Sequence, residues 1–289
     1  VAGDKGGGSL TKIGSGSLFL SSHGSSYNNG TTITQGMISI PVGNGLGSGS
    51  VSIGASGTLQ GTGTFTVTNT PITLAAGSTI DVTAANNMTL GGKLSSGSGS
   101  LTKTGTGILT LSNAANSYGA GTTISAGTLA LTGNGTLPTA GTVTNNADLD
   151  ISQISATSFN IGGIAGTGTI HAGNKSLSAN VTVPTTFAGS IVDGGIGGGT
   201  GASFIKTGSA ALTFTGSLNT YTGGTTISAG ILALSGSGAL PTTGVVTNNA
   251  TLDISQITAS SFTLGAIAGT GTIAAGDKEL TANVNVLTT

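Results

Sequence analysis

Residues 101–186 can be laid on residues 204–289 at a constant offset of 103 with no gap, and 55 of the 86 paired positions are identical. This constrains the chain more than any composition can, because whatever fold one copy adopts the other must adopt too. Long units whose copies agree at apolar and turn positions alike mark a solenoid or an array, not one compact domain around one pocket. A third, more diverged copy stands first: Lys12 to Leu20 and Tyr27 to Gly36 lie 91 positions ahead of Lys103 to Leu111 and Tyr118 to Gly127. The spacing of 91 instead of 103 makes the first unit shorter by at least twelve residues, which a solenoid absorbs as a changed loop or coil. The phases divide the chain into units 1–97, 98–200 and a truncated 201–289, expected to form one continuous solenoid.

Each unit reads as short strands separated by turns. Gly107 to Leu111 alternates sides, a polar loop follows, then Thr122 to Ser125, a turn at Ala126-Gly127, and Thr128 to Leu131. Antiparallel hairpins would need Asn-Gly turns at a fixed phase, yet Asn29-Gly30 and Asn134-Gly135 do not recur in every copy. Val/Ile/Leu strands between Gly and Asn corners instead predict an all-β chain, a right-handed parallel β-helix (β-solenoid) built from tandem repeats of about 100 residues. Coils of roughly 20 residues stacked about 4.8 Å apart would give a rod some 60 to 70 Å long. Its core should hold Leu109, Leu111, Ile124, Leu129, Leu131, Leu149, Ile151, Ile164 and Ile170, with Leu212, Phe214, Ile227, Leu232, Leu234, Leu252, Ile254, Ile267 and Ile273 in the next unit. An array of β-sandwiches is the weaker reading, since ten aromatics would fill two or three sandwich cores poorly.

The ordered run Lys103-x-Gly105, Asn116-x-Tyr118-x-x-Gly121-Thr122-Thr123-Ile124 and Ala126-Gly127-x-Leu129 resembles the passenger-associated repeat of bacterial autotransporters. Lys206, Gly208, Asn219, Tyr221, Gly223, Gly224, Thr225, Thr226, Ile227, Gly230 and Leu232 repeat it, and Lys12, Tyr27 and Gly30 carry its diverged form. The resemblance implies a right-handed β-helix exported to the bacterial cell surface or the medium, in adhesins and filament-like surface proteins. The sequence opens on Val without a leader pattern, and Val286 to Thr289 stop in the phase where Val183 to Thr186 run on, so it reads as a piece of a longer repeating chain.

Chemistry is sparse. Net charge is −1, no arginine occurs and the seven lysines do not cluster, which removes the electrostatic footprint of nucleic-acid binding. No run of about 18 apolar residues suggests membrane insertion of this segment. With no cysteine, thiolate metal sites and thiol catalysis are excluded. Lys12, Lys103 and Lys206 share one phase, as do Asp150 with Asp253 and Lys175 with Lys278, and Gly3-Asp4-Lys5 echoes Gly276-Asp277-Lys278. Residues recurring in every copy serve the coil, so Lys12, Tyr27, Gly30, Lys103, Tyr118, Gly121, Lys206, Tyr221 and Gly224 are read as structural motif positions. The three tyrosines are expected at corners, rings over a strand ladder and hydroxyls in water.

His23 and His171 stand at unrelated phases with no partner at ligand spacing, so no metal, no cofactor and no catalytic residue is assigned. The run Asp193 to Gly201 lacks the Gly-Lys-Thr of a phosphate loop and reads as a flexible loop between units. The expected function is an extracellular adhesive stalk or fibre segment, not an enzyme. Its expected partners are cell-surface or matrix glycans or proteins, and further copies of itself end to end or side by side. A carbohydrate-binding or polysaccharide-cleaving β-helix is the alternative, weakened by scattered carboxylates and the missing arginine.

Overall fold

The computed structural model describes residues 7–21 and 24–283, so His23, Gly3 to Lys5 and Val286 to Thr289 lie outside the described residues. It divides into two compact units, residues 1–141 and 142–289. Both are parallel β-solenoids. The described residues contain one short 3-10 turn, Gly43–Leu46, and no helix long and apolar enough to cross a membrane.

In the first unit, strands Leu10–Lys12, Thr31–Ile40, Val51–Gly61, Thr79–Val82, Leu101–Thr104 and Thr122–Ile124 neighbour one another in sequence order, every pair parallel. A second sheet stacks Phe65–Val67, Asn87–Leu90, Ile108–Leu111 and Thr128–Gly133 in the same way. Partner offsets set the coil length: Leu10 lies opposite Thr31, Thr58 opposite Thr79, and Leu101 opposite Thr122. Each such step advances the chain by 21 residues, close to the coil expected from the repeat.

In the second unit one sheet runs Ser158–Ile161, Ser176–Asn180, Ser203–Thr207, Thr225–Ile227, Val245–Asn248 and Ala266–Ala268. Another runs Thr185–Phe187, Ala211–Phe214, Ile231–Gly236, Thr251–Ile257 and Thr272–Ala274. Strand Asp148–Ile154 pairs with Thr169–His171, which pairs with Ser190–Val192. Here one coil is longer: Ser176 lies opposite Ser203, an advance of 27 residues, and the excess is the glycine-rich run after Val192.

Alternation in each strand sends every second side chain inward, and stacking in register puts like on like. Leu109 pairs with Leu129 and Leu111 with Leu131; Leu212 pairs with Leu232 and Phe214 with Leu234. All nine predicted core residues of the 98–200 phase are fully or almost fully buried, as are seven of their nine counterparts. A buried side chain of this size contributes about 1.5–3 kcal/mol. Ile267 and Ile273 differ from expectation and are only partly covered. They lie on Ala266–Ala268 and Thr272–Ala274, and among the described residues no strand stacks on the far side of either.

Candidate functional site

The most unusual inward positions are lysines. Lys103 stands in register between Ile80 and Ile124, and Lys206 between Ala179 and Ile227, so each occupies a rung of an apolar column. Both have no exposure, and Lys12, opposite Ile33, has 9%. A buried ammonium must be paired or saturated with acceptors. Here three main-chain carbonyls do it. Lys103 Nζ donates to Thr104 O, Gly105 O and Ala126 O at 2.6, 2.7 and 3.1 Å. Lys206 repeats this with Thr207, Gly208 and Ala229, and Lys12 with Ile13, Gly14 and Gln35.

The glycine twenty-four positions on closes the nest. Gly36, Gly127 and Gly230 have φ of 73°, 64° and 69°, a left-handed conformation that disfavours side chains. A Cβ on Gly230 would stand 2.5 Å from Gly208 O and 2.9 Å from Lys206 Nζ. The spacing Lys-x-Gly with a later Ala-Gly is therefore the sequence of a main-chain cation nest. Burial pushes Lys103 and Lys206 down to about 8, with Asp81 opposing the shift at Lys103.

Tyrosine serves the same strand pair. Tyr118 and Tyr221 are fully buried, and their hydroxyls bond Thr122 Oγ1 and Thr225 Oγ1 at 2.7 and 2.6 Å. The expectation of water-facing hydroxyls is corrected at Tyr118 and Tyr221, because each ring is buried and its hydroxyl is taken by the buried threonine four positions on. Tyr27, only half-buried, bonds Thr31 Oγ1 at 2.8 Å. Burial pushes all three phenols up. Gly30, Gly121 and Gly224, with φ of 93°, 98° and 92°, make the turn between tyrosine and threonine.

Buried asparagines were not singled out as sites by the sequence. Asn116 takes Leu94 N on its Oδ1 and donates to Thr136 O, crossing three coils, and Asn219 does the same between Ile191 N and Ala239 O. Asn145 and Asn248 donate to Thr169 O and Thr272 O. The signal was present in the repeated Thr-Asn-Asn-Ala at 144–147 and 247–250.

Outside the wall the second unit gathers several polar groups. His171 Nε2 lies 3.3 Å from Asp148 Oδ1, a carboxylate neighbour that sequence spacing hid, since parallel stacking juxtaposes residues about one coil apart. Asp150 is 2% exposed; its Oδ1 accepts from Ser152 N and Oγ, its Oδ2 from Ile196 N at 2.6 Å, while Gly197 N donates to Ser152 Oγ at 2.7 Å. The glycine run is thus pinned to the wall, not hanging free. Its start is anchored too. Partial burial pushes the Asp193 carboxyl up, but hydrogen bonds from Thr222 Oγ1, Gly201 N, Ala202 N and Thr222 N outweigh this and hold it below the usual range.

Ser152 Oγ donates to Asp150 and not to His171, so these groups form no nucleophile and base relay. Among the described residues no three His, Asp or Glu side chains are placed to hold a metal ion. A shallow groove of about 350 Å³ runs between Thr167, Thr169, Ser190, Thr215, Ser217 and the exposed Leu218, without a charged group.

Comparison with known proteins agrees with this geometry. The "Adhesin BmaC autotransporter" of Brucella suis biovar 1 (strain 1330) is 34% identical over 218 residues, which is 68% of this chain and 6% of that protein. The chain thus spans only a small part of the curated relative it matches. No solved structure matches. The family of the passenger-associated-transport-repeat matches at residues 10–40, 101–131 and 204–234, each match running from the strand of the buried lysine past its closing glycine. The chain is therefore a β-solenoid that carries the passenger-associated-transport-repeat three times and is similar over part of its length to an autotransporter adhesin.

Proposed function

We propose that the segment is a non-catalytic, adhesive stretch of a bacterial surface-displayed or secreted passenger, which presents its outer strand faces to glycans or proteins of a host cell or matrix. The observation that carries this reading is where the repeated chemistry goes. The motif lysines Lys12, Lys103 and Lys206 are consumed by carbonyls and the fully buried tyrosines by threonines, all inside the wall. What faces outward is a weakly charged array of Thr, Ser and Asn suited to many small hydrogen bonds. The relative's description as an adhesin points the same way. Displayed on a non-adherent bacterium, the segment should confer binding to fixed cells or matrix glycoprotein. Cleavage of a polysaccharide that is lost in Asp148→Asn, Asp150→Asn or His171→Ala would overturn this reading in favour of a lyase or hydrolase.

Self-association end to end or side by side belongs to the same proposal. With 5% charged residues, little repulsion opposes contact between like faces. Light scattering and electron microscopy at micromolar concentration test it; dispersed single particles with no concentration dependence would reject it.

A further inference from the structure

The shallow groove of the second unit exists because no side chain can stand along its floor. Gly168, Gly189 and Gly216 come from three successive coils; a Cβ on Gly189 would overlap Gly168 O, and one on Gly216 would overlap Gly189 O. The hydroxyls of Thr167, Thr169, Ser190, Thr215 and Ser217 line it in these coils, and Ser237 adds one from the next. The groove therefore follows the stacking direction, with a rung about every 4.8 Å. Two more groups flank it. Leu218 lines it with 71% exposure, on a turn that Asn219 pins by accepting from Ile191 N and donating to Ala239 O. Asp148 lies opposite Thr169, which lies opposite Ser190, so this carboxylate is the next rung of the hydroxyl row. Its Oδ1 faces His171 Nε2 at 3.3 Å, and no group among the described residues bonds its Oδ2.

The repeat builds the same coils without these groups. Asp148 has Thr251 as its counterpart, Ser217 and Leu218 have Ala114 and Ala115, and Gly216 has Asn113. Asn113 ties down its own corner, donating to Gly91 O at 3.0 Å and accepting from Ala115 N at 2.9 Å. The groups of the groove are thus spare for a ligand, and their chemistry selects it. An extended peptide needs an open strand edge, but Thr169–His171 is paired on both sides, and Ile191 gives its N–H to Asn219 and accepts from Thr220 N. An anionic chain would meet the Asp148 carboxylate and no lysine in the groove. A neutral sugar chain fits, since its hydroxyls donate and accept as those of Ser and Thr do, and a vicinal pair can donate twice to one carboxylate. Leu218 offers apolar contact to the C–H face of a ring.

We propose that this groove binds a linear neutral oligosaccharide laid along the stacking direction, with Asp148 receiving a vicinal hydroxyl pair and Leu218 covering one ring. The proposal deepens the adhesive reading and rests on it. Among the described residues no aromatic side chain lines the groove, so each contact is weak and retention comes from many displayed copies.

The test couples the chain in many copies to beads and measures binding to immobilised β-1,4-glucan, chitin, galactan and mannan oligosaccharides, with polysialic acid as the anionic probe, beside adhesion to fixed cells. Saturable binding to at least one neutral chain, and none to polysialic acid, is expected. It should fall at least tenfold in Asp148→Thr and in the Ser217→Ala, Leu218→Ala variant, which carry the residues of the other copies. Circular dichroism and an unchanged thermal midpoint verify that both are folded. No binding to any neutral chain, equal binding to polysialic acid, or binding unchanged in either variant would each overturn the groove. Cell adhesion that persists in both variants would also overturn it and leave the adhesive reading in place, whereas oligosaccharide binding without any cell adhesion would do the reverse.

Discussion

The inner and outer faces of the wall treat repetition differently. Inside, Lys206, Tyr221 and Gly230 reproduce the bonds of Lys103, Tyr118 and Gly127 nearly atom for atom. Outside, equivalent positions diverge: Asp148 becomes Thr251 and His171 becomes Ala274, so the imidazole and carboxylate that meet in one copy have no counterpart in the next. The difference follows from what each face must satisfy. An inward residue meets the coil above and the coil below, so its polarity and its hydrogen bonds are fixed twice over, although size still varies, as Leu111 against Phe214 shows. An outward residue meets water and is free to vary, which leaves the outer face as the place where one repeat acquires a contact that the next lacks.

The largest break in that contrast should come from a charge placed where no nest exists. Leu109→Asp puts a carboxylate in the column between Met88 and Leu129, and should cost about 4 kcal/mol or more, seen as loss of the cooperative transition in chemical denaturation. Gly230→Ala forces a left-handed alanine against Gly208 O and the ammonium; a loss of about 2–3 kcal/mol is expected from the same measurement. Lys206→Met keeps the volume but leaves three carbonyls without a donor, and should cost about 1–3 kcal/mol.

The alkaline limb sharpens the comparison further. Lys103 and Lys206 titrate near 8 in the folded chain but near the ordinary lysine value when unfolded. Between those values the unfolded chain holds protons that the folded chain has released, so stability should rise with pH across about 8 to 10.5. The carbonyl acceptors favour the ammonium and temper the gain, leaving on the order of 1–3 kcal/mol per lysine. Tyr118 and Tyr221 act oppositely, since their raised values make stability fall as pH climbs past about 10. Denaturant midpoints should peak near pH 10, and the Lys103→Met, Lys206→Met variant should lose the rise. The smallest effect belongs outside. Asp150→Asn turns an acceptor of the Ile196 N–H into a donor, and should cost about 1 to 2 kcal/mol and raise amide exchange at Ile196 and Gly197.

The sequence by itself determined the repeat, the coil length and the identity of the core. Alternating Leu and Ile at a fixed offset states which side faces inward, because the two-residue period of a strand and the stacking of equals leave one register that buries them. It also marked Lys103, Tyr118 and Gly121 as motif residues, but not what they do. A lysine at an inward phase shows only that a charge recurs; that three carbonyls and a glycine of positive φ surround it depends on turns about one coil apart meeting in space. The same limit hid the nearness of His171 to Asp148, the threonine partners of Tyr118 and Tyr221, and the seat of the glycine run on Asp150. The histidine and glycine-run contacts join residues 23 and 46 positions apart through stacking, and the tyrosine contacts join residues four apart across a turn; only the tertiary structure, in which one coil takes 27 residues where others take 21, decides which residues meet.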